Sequence, residues 1–215
     1  MSGILYDESI DGFPIINTYT GLVDKVRDAL ATNTLYSVDE IGNCGWCERY
    51  DFIREFGYFI PTKEYVNAIK SLGRKWVSIG CGRGYMERIL HNNGIDIIAT
   101  DIVSVDKNPY FECSGFDDAH IPIELMDGYC AACKYPDRSI ISSWMPMDSL
   151  WAIDVIAQLR DNLFVFIGER HGGCTGHNMV HDYIDTECDV VMTIPHANFV
   201  GIHDGITVYK LRVKG

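Results

Sequence analysis

The sequence has no surplus of basic residues: lysine and arginine total 18 against 30 aspartates and glutamates, a formal net charge of −12 at pH 7. A protein that neutralises a phosphate backbone leans the other way, so the balance argues against duplex nucleic acid as a partner. No run of about 18 apolar residues occurs, which argues against a membrane-spanning helix. The start, M-S-G-I-L-Y-D-E, lacks the basic and then apolar pattern of a secretory signal, and a cytoplasmic location is expected. Eight cysteines in such a chain point to reduced thiols or metal ligation more than to disulfides. What is present suits a folded domain: 47% of the 215 residues are hydrophobic, enough for a sizeable core.

The most informative stretch runs from Trp76 to Asp101. A short apolar run (Trp76, Val77, Ile79) ends in glycines at alternate positions, Gly80, Gly82 and Gly84, and a segment with Met86, Ile89 and Leu90 on one helical face follows. Gly94 marks the helix end, and a second apolar run (Ile97, Ile98, Ala99) finishes in Asp101. The unit reads as β-α-β with an acid at the tip of the second strand. Glycines let a ligand lie on the backbone, free N–H groups at the helix start are expected to face it, and a carboxylate at that tip can accept both hydroxyls of a ribose. A nucleoside-containing cofactor is expected.

The dinucleotide pattern G-x-G-x-x-G would need a third glycine where Tyr85 stands, and tyrosine there is expected to crowd the helix against the strand. The spacing G-x-G-x-G instead resembles motif I of class I S-adenosylmethionine-dependent methyltransferases, with Asp101 matching their ribose-binding acid. An NAD or FAD site and a plain glycine turn in an ordinary α/β domain stay as alternatives.

Along the chain, residues 1 to 18 look like an extended arm packed by Phe13, Ile15 and Ile16. Helices are expected over residues 20 to 31, 46 to 56, and 63 to 72, the last with Thr62 as N-cap and Gly73 as its stop. Residues 102 to 120 read as irregular. Strands are expected at 121 to 126, 138 to 143, 163 to 167, 190 to 194 and 206 to 211, with a helix over 150 to 159. The closing strand pair has no helix between its members, as in methyltransferases and unlike a dinucleotide fold.

The succession Tyr58-Phe59-Ile60-Pro61-Thr62, Ile79 to Met86, Asp101, Ser142-Ser143-Trp144-Met145-Pro146, Ile167-Gly168-Glu169 and Gly172-Gly173-Cys174-Thr175 resembles a group of methyltransferase-like proteins. Their motifs read approximately I-P-T, G-A-G-x-G-Y-W, S-W-P-P and G-E-x-x-G-G-C-T in the same order, over about residues 58 to 213. The resemblance implies a Rossmann-like class I methyltransferase fold: a mostly parallel seven-stranded sheet with an antiparallel final strand. A core over 61–215 would carry an N-terminal helical extension over 1–60. It implies S-adenosylmethionine as cofactor, held by Gly80, Gly82 and Gly84, by Asp101 at the ribose and by Asp127 at the adenine, although Asp127 reads equally as a turn residue before Gly128. Tyr58 is a further cofactor-binding candidate, and Tyr58 and Phe59 would form a lid.

Ser143, Trp144 and Glu169 would face the methyl acceptor, a small molecule or a protein side chain; Glu169 reads equally as a helix cap. Departures from the family pattern are Ser78 where many methyltransferases carry an acid, and Arg83, expected either to point to solvent or to weaken cofactor binding. The run Ser143 to Met147 lacks the Asp or Asn, one proline and the aromatic of amino-group methyltransferases, so a binding or scaffold protein without turnover is the second reading. No metal is assigned. The pairs Cys44/Cys47 and Cys130/Cys133 allow a four-cysteine zinc site only if they meet in space. His177 and His181 lack the glutamate of H-E-x-x-H and read as polar residues of a helix face, and Cys174 reads as a small packing residue.

Overall fold

Alternate residues of a strand face opposite ways, and in the central strands this divides the core in two. Along Leu163–Gly168, Val165 and Ile167 join one buried cluster while Phe164 and Phe166 join the other. Both sides of the sheet are therefore covered by helices, and such a strand reads as a continuous apolar run. The computed structural model describes residues 9–10, 13–14, 21–42, 44–108 and 118–212.

In chain order the strands are β1 (Ser9–Ile10), β2 (Phe13–Pro14), β3 (Trp76–Ile79), β4 (Ile97–Asp101), β5 (Ile123–Leu125), β6 (Ser139–Ser143), β7 (Leu163–Gly168), β8 (Cys188–Ile194) and β9 (Gly205–Leu211). The helices are α1 (Leu22–Thr32), α2 (Val38–Ile41), α3 (Trp46–Glu55), α4 (Lys63–Ser71), α5 (Tyr85–Asn92), α6 (Gly128–Lys134), α7 (Trp151–Ala157) and α8 (Asn178–Glu187). Strands β1 and β2 pair with each other; the packing expected of Phe13, Ile15 and Ile16 lies outside the described residues.

The other seven strands form one sheet in the order β5-β4-β3-β6-β7-β9-β8. Strands β3 to β7 run parallel, and only β9 runs antiparallel to its two neighbours. The Rossmann-like sheet with an antiparallel final strand is thus the one expected. Helices α1, α3, α4 and α5 contribute Leu22, Phe52, Tyr65 and Leu90 to one buried cluster. Helices α6, α7 and α8 contribute Ala131, Val155 and Ile184 to the other. Burying one such leucine or phenylalanine is worth about 1.5–3 kcal/mol.

Element ends follow local chemistry. Thr62 caps α4 by accepting from Tyr65 N–H at 3.4 Å. Gly94 has φ 79° and donates to His91 O, while Ile95 N–H reaches Leu90 O at 3.1 Å, the paired closure that a left-handed residue after a helix permits. Two helices were not expected, yet both start on readable caps. Ser37 and Glu40 form a reciprocal capping box at α2, and Asp127 accepts from Cys130 N–H at α6. Strand β5 is shorter than expected, with three residues.

Gly168 closes β7 at φ 150°, and a Cβ there would stand 2.4 Å from Thr175 Cγ2 and 2.8 Å from its Cβ. Gly168→Ala is expected to cost about 3 kcal/mol through overpacking and backbone strain. Thermal denaturation should show Tm lower by roughly 6–12 °C in a chain of this size; an unchanged Tm would show that this contact is not tight.

Candidate functional site

The winding of the sheet reverses between β3 and β6: β3 leads to β4 on one side, and the chain returns to add β6 on the other. Helices diverge at such a point, leaving a crevice beyond the strand carboxyl ends. A cavity of about 810 Å³ opens there. It is lined by Gly80, Gly82, Asp101, Asp127, Tyr58, Ser143 and Trp144, seven of the residues singled out in the sequence, and by Glu87, Arg49 and Cys174, which were not assigned to it. Gly84 and Glu169 do not line it.

At the glycine-loop end the backbone is strongly left-handed, with φ 74° at Gly80, 59° at Gly82 and 72° at Gly84. The N–H groups of the loop ahead of the helix start are turned inward. Gly80 and Cys81 both donate to Thr100 O, at 3.0 and 3.1 Å, and Gly82 donates to Asp101 Oδ2 at 2.8 Å. The loop is stitched to β4 rather than opened toward a ligand. Gly84 shapes the helix entry, since a Cβ on it would meet Ile121 Cγ2 at 2.7 Å. Tyr85 does not crowd the strand: it packs against Phe52 and Phe56 of the α3 end, with ring centroids at 5.8 and 5.4 Å.

Asp101 is buried, and its second oxygen accepts from Val103 N–H at 3.2 Å. Burial pushes its pKa up, against the pull of the Gly82 and Val103 N–H groups. Glu87 is the more unusual acid. It stands in the first turn of α5, wholly buried, where Ser78 Oγ donates to its Oε1 at 2.5 Å, and its Oε2 has no hydrogen-bond partner among the described residues. Burial raises its pKa to about 7; the Ser78 hydroxyl opposes that shift and the Asp101 charge adds to it. A helix carboxyl therefore stands against Ser78, the strand position where many methyltransferases carry an acid.

Arg83 follows neither expectation. It is buried, faces away from the cavity, and donates to Glu55 O at 3.0 Å and Asp118 O at 2.8 Å, tying the loop to the end of α3. Asp127 combines its two readings. Its Oδ1 caps α6 through Cys130 N–H at 2.8 Å, which lowers its pKa, and the residue lines the cavity next to Gly128.

The opposite end is aromatic. Trp144 follows β6 at φ 50°, a strained conformation for a non-glycine residue. It is held by Trp144 N–H to Ile167 O at 2.8 Å and by its indole Nε1–H to Asp204 Oδ2 at 3.2 Å. Tyr58 stacks on it, with centroids 5.2 Å apart and planes 21° apart. The guanidinium of Arg49, on α3, lies 5.8 Å from the centroids of both rings. Glu169, at the end of β7, has both oxygens committed: Oε1 accepts from His203 N–H at 3.0 Å and Oε2 from Cys174 N–H at 2.9 Å. These bonds, that of His203 first, lower its pKa. It clamps two loops and caps no helix.

The histidines and cysteines also find places. His177 caps α8 by accepting from Met179 N–H. His181 is buried rather than on a polar face, and its Nε2 lies 2.8 Å from Thr175 O, so Nε2 carries the proton. Among the described residues no group of three or more His, Cys, Asp or Glu could hold a metal ion. Cys44 is buried at a bridge to Phe199, and Cys130 and Cys133 are exposed on α6. Two missed residues had signals in the sequence. Arg49 lies three positions after Trp46 on the α3 face, and Ser78 at the acid position asks where the acid went.

No protein-family model matches the chain, and no curated protein matches it. Among solved structures the chain is similar to the 1,6-didemethyltoxoflavin-N1-methyltransferase of Burkholderia thailandensis, at 12% identity over 90% of this chain and 88% of that one, with a TM-score of 0.49. It is also similar to a TehB-like SAM-dependent methyltransferase from Corynebacterium glutamicum, at 15% identity over 78% and 96%, TM-score 0.47. With TehB from Haemophilus influenzae the identity is 12% and the TM-score 0.45, over 75% of this chain and 66% of that protein's length. Identities this low speak to fold alone, and with TM-scores below 0.5 the fold assignment stands on the strand order, the parallel registers and the antiparallel β9.

Proposed function

We propose that the chain binds S-adenosylmethionine at the glycine-loop end of the cavity and serves as a methyltransferase acting on a small molecule or a protein side chain. The observation that carries this reading is the charge of that end. Glu87, Asp101 and Asp127 line it with three carboxyl groups, and the loop's own cation, Arg83, is turned out. A dinucleotide pyrophosphate needs open N–H groups and no nearby acid; here the N–H groups of Gly80, Cys81 and Gly82 are engaged. A ligand bearing an ammonium and a sulfonium suits acidic walls.

The residues fit that cofactor. A Cβ on Gly80 would meet nothing within 4 Å, so a ligand can rest on the backbone. The unpartnered Oε2 of Glu87 is an acceptor that an ammonium would satisfy, and a buried acceptor left unmet costs about 1–3 kcal/mol. When bound, S-adenosylmethionine supplies a methyl group activated by its sulfonium, transferred in one in-line displacement. The chain's own tasks are then to hold and align. Asp101 accepts the ribose hydroxyls, Glu87 the ammonium protons, and Asp127 the adenine amino group. Ser143 offers a hydroxyl to the acceptor, and the stacked Tyr58 and Trp144 exclude water from it. The cavity volume lies toward the upper end of the roughly 300–1,000 Å³ of small-molecule sites, which favours the small molecule. The alternative, a binding protein without turnover, draws on Met147, 60% exposed where amino-group methyltransferases place a stacking aromatic.

Calorimetry with S-adenosylmethionine, S-adenosylhomocysteine and NAD tests the cofactor reading. Both sulfur nucleosides should bind and NAD should not, and Asp101→Asn should weaken S-adenosylhomocysteine by roughly 10–100-fold through its lost ribose contacts; binding of NAD alone would sink the proposal. A turnover assay on the same preparation separates the enzyme from the binding protein.

Glu87→Gln should move stability and affinity in opposite directions. With a folded pKa of about 7 against an ordinary 4.5, the folded state holds the Glu87 proton more tightly. Stability from this group is thus fully present below about 4.5, declines as pH rises to about 7, and then levels off. Relative to wild type, the variant should gain about 1–3 kcal/mol between pH 5 and pH 8 in denaturant titrations. Its affinity for S-adenosylhomocysteine should fall at least about tenfold at pH 8; unchanged affinity would assign Glu87 to packing alone.

A further inference from the structure

The glycine-loop end accounts for the three acids of the cavity and leaves its cation unexplained. Arg49 is the one lysine or arginine among the described residues that line it. The guanidinium carbon lies 5.2 Å from the ring centroid of Trp46, 5.8 Å from Tyr58, 5.8 Å from Trp144 and 5.9 Å from Phe199. Among the described residues no hydrogen bond or ion pair engages that side chain. Asp204, the acid behind Trp144, accepts from the indole instead.

This seat is built rather than incidental. Phe199 lies on the β8–β9 connection, which is pinned to the segment before α3 by Cys44 N–H to Asn198 O at 3.4 Å and Val200 N–H to Cys44 O at 3.0 Å. Trp144 is held by two bonds despite its strained backbone. Rings that approach a guanidinium through their π clouds satisfy the cation without consuming its N–H donors. Those donors form a planar fork that matches a carboxylate in a two-point contact. Apolar walls beside it, Tyr58, Trp144, Met145 and Pro146, suit a flat hydrophobic body.

We propose that the acceptor is a small aromatic acid whose carboxylate is anchored by the cavity-lining, ring-surrounded Arg49 and whose ring packs against Tyr58 and Trp144. This rests on the methyltransferase reading for the word acceptor, but the anion site itself does not need the cofactor. It also explains how an acidic protein admits an acid: the negative wall is at the far end, and the entering anion meets a cation.

Matched pairs test it: benzoate, 4-hydroxybenzoate, 1-naphthoate and indole-3-acetate, each beside its carboxamide, titrated by calorimetry into the protein with and without saturating S-adenosylhomocysteine. At least one acid should bind at least about tenfold more tightly than its amide, the order of one charged hydrogen-bonded contact. In Arg49→Met that ratio should drop to within about twofold, while Arg49→Lys should keep part of it, since the charge survives without the fork. Melting curves confirm that the variants fold, and their affinity for S-adenosylhomocysteine should stay within about twofold of wild type, because Arg49 lies at the other end of the cavity. Acids and amides bound equally, no acid bound, or a preference that survives Arg49→Met would each overturn the proposal. Failure of S-adenosylhomocysteine to bind would instead overturn the cofactor reading, leaving the acid-to-amide ratio of the free protein to decide the anion site.

Discussion

The Asp101 carboxylate sits between two backbone N–H groups, those of Gly82 and Val103, and beside it the Thr100 carbonyl takes the N–H groups of Gly80 and Cys81. Three of these bonds, all but that of Val103, lash the loop after β3 to the end of β4. They explain why left-handed glycines are needed, since only that backbone brings successive N–H groups round to one carbonyl. They also decide what the loop can receive. With these donors spent inward, the loop presents open backbone and carboxylates, the feature on which the proposed cofactor site rests.

Charge along the cavity is separated for the same reason. Burial raises the cost of ionising both Glu87 and Asp101, the Asp101 charge adds to that of Glu87, and the Glu87 pKa is raised to about 7. A positively charged ligand relieves both. At the aromatic end the only charge among the described lining residues is Arg49, stabilised by ring faces instead of by a carboxylate. The carboxyl groups and the guanidinium thus give the cavity lining charges of opposite sign.

Several polar residues that might pass for chemistry serve loop geometry. Glu169 holds the backbones at Cys174 and His203, and the glycine before it leaves room for Thr175. Arg83 holds the carbonyls at the end of α3. Buried charged groups of this kind are satisfied by backbone dipoles. Glu87 differs from them in that its Oε2 has no hydrogen-bond partner among the described residues.

The strands and most helices were legible because their signals are local. Period-2 and period-3.6 apolar patterns, Thr62 as a cap and Gly94 as a stop act within a few residues, and the order of the motifs implied the sheet. So were Gly80, Asp101 and Ser143, since each stands at the tip of a strand whose direction is known once the sheet is known. Which way a side chain turns at that tip was not legible. Arg83 and Glu169 turn away from the cavity, and Glu87 turns in, because loops distant in sequence supply or withhold partners: Asp118 and Glu55 for Arg83, His203 and Cys174 for Glu169, Ser78 for Glu87. Arg49 needed four rings from three separate segments. Local sequence settled where backbone could become helix or strand, since that depends on near neighbours; only the packed chain settled which charges face the crevice, since desolvation and hydrogen bonding depend on whatever folding brings alongside.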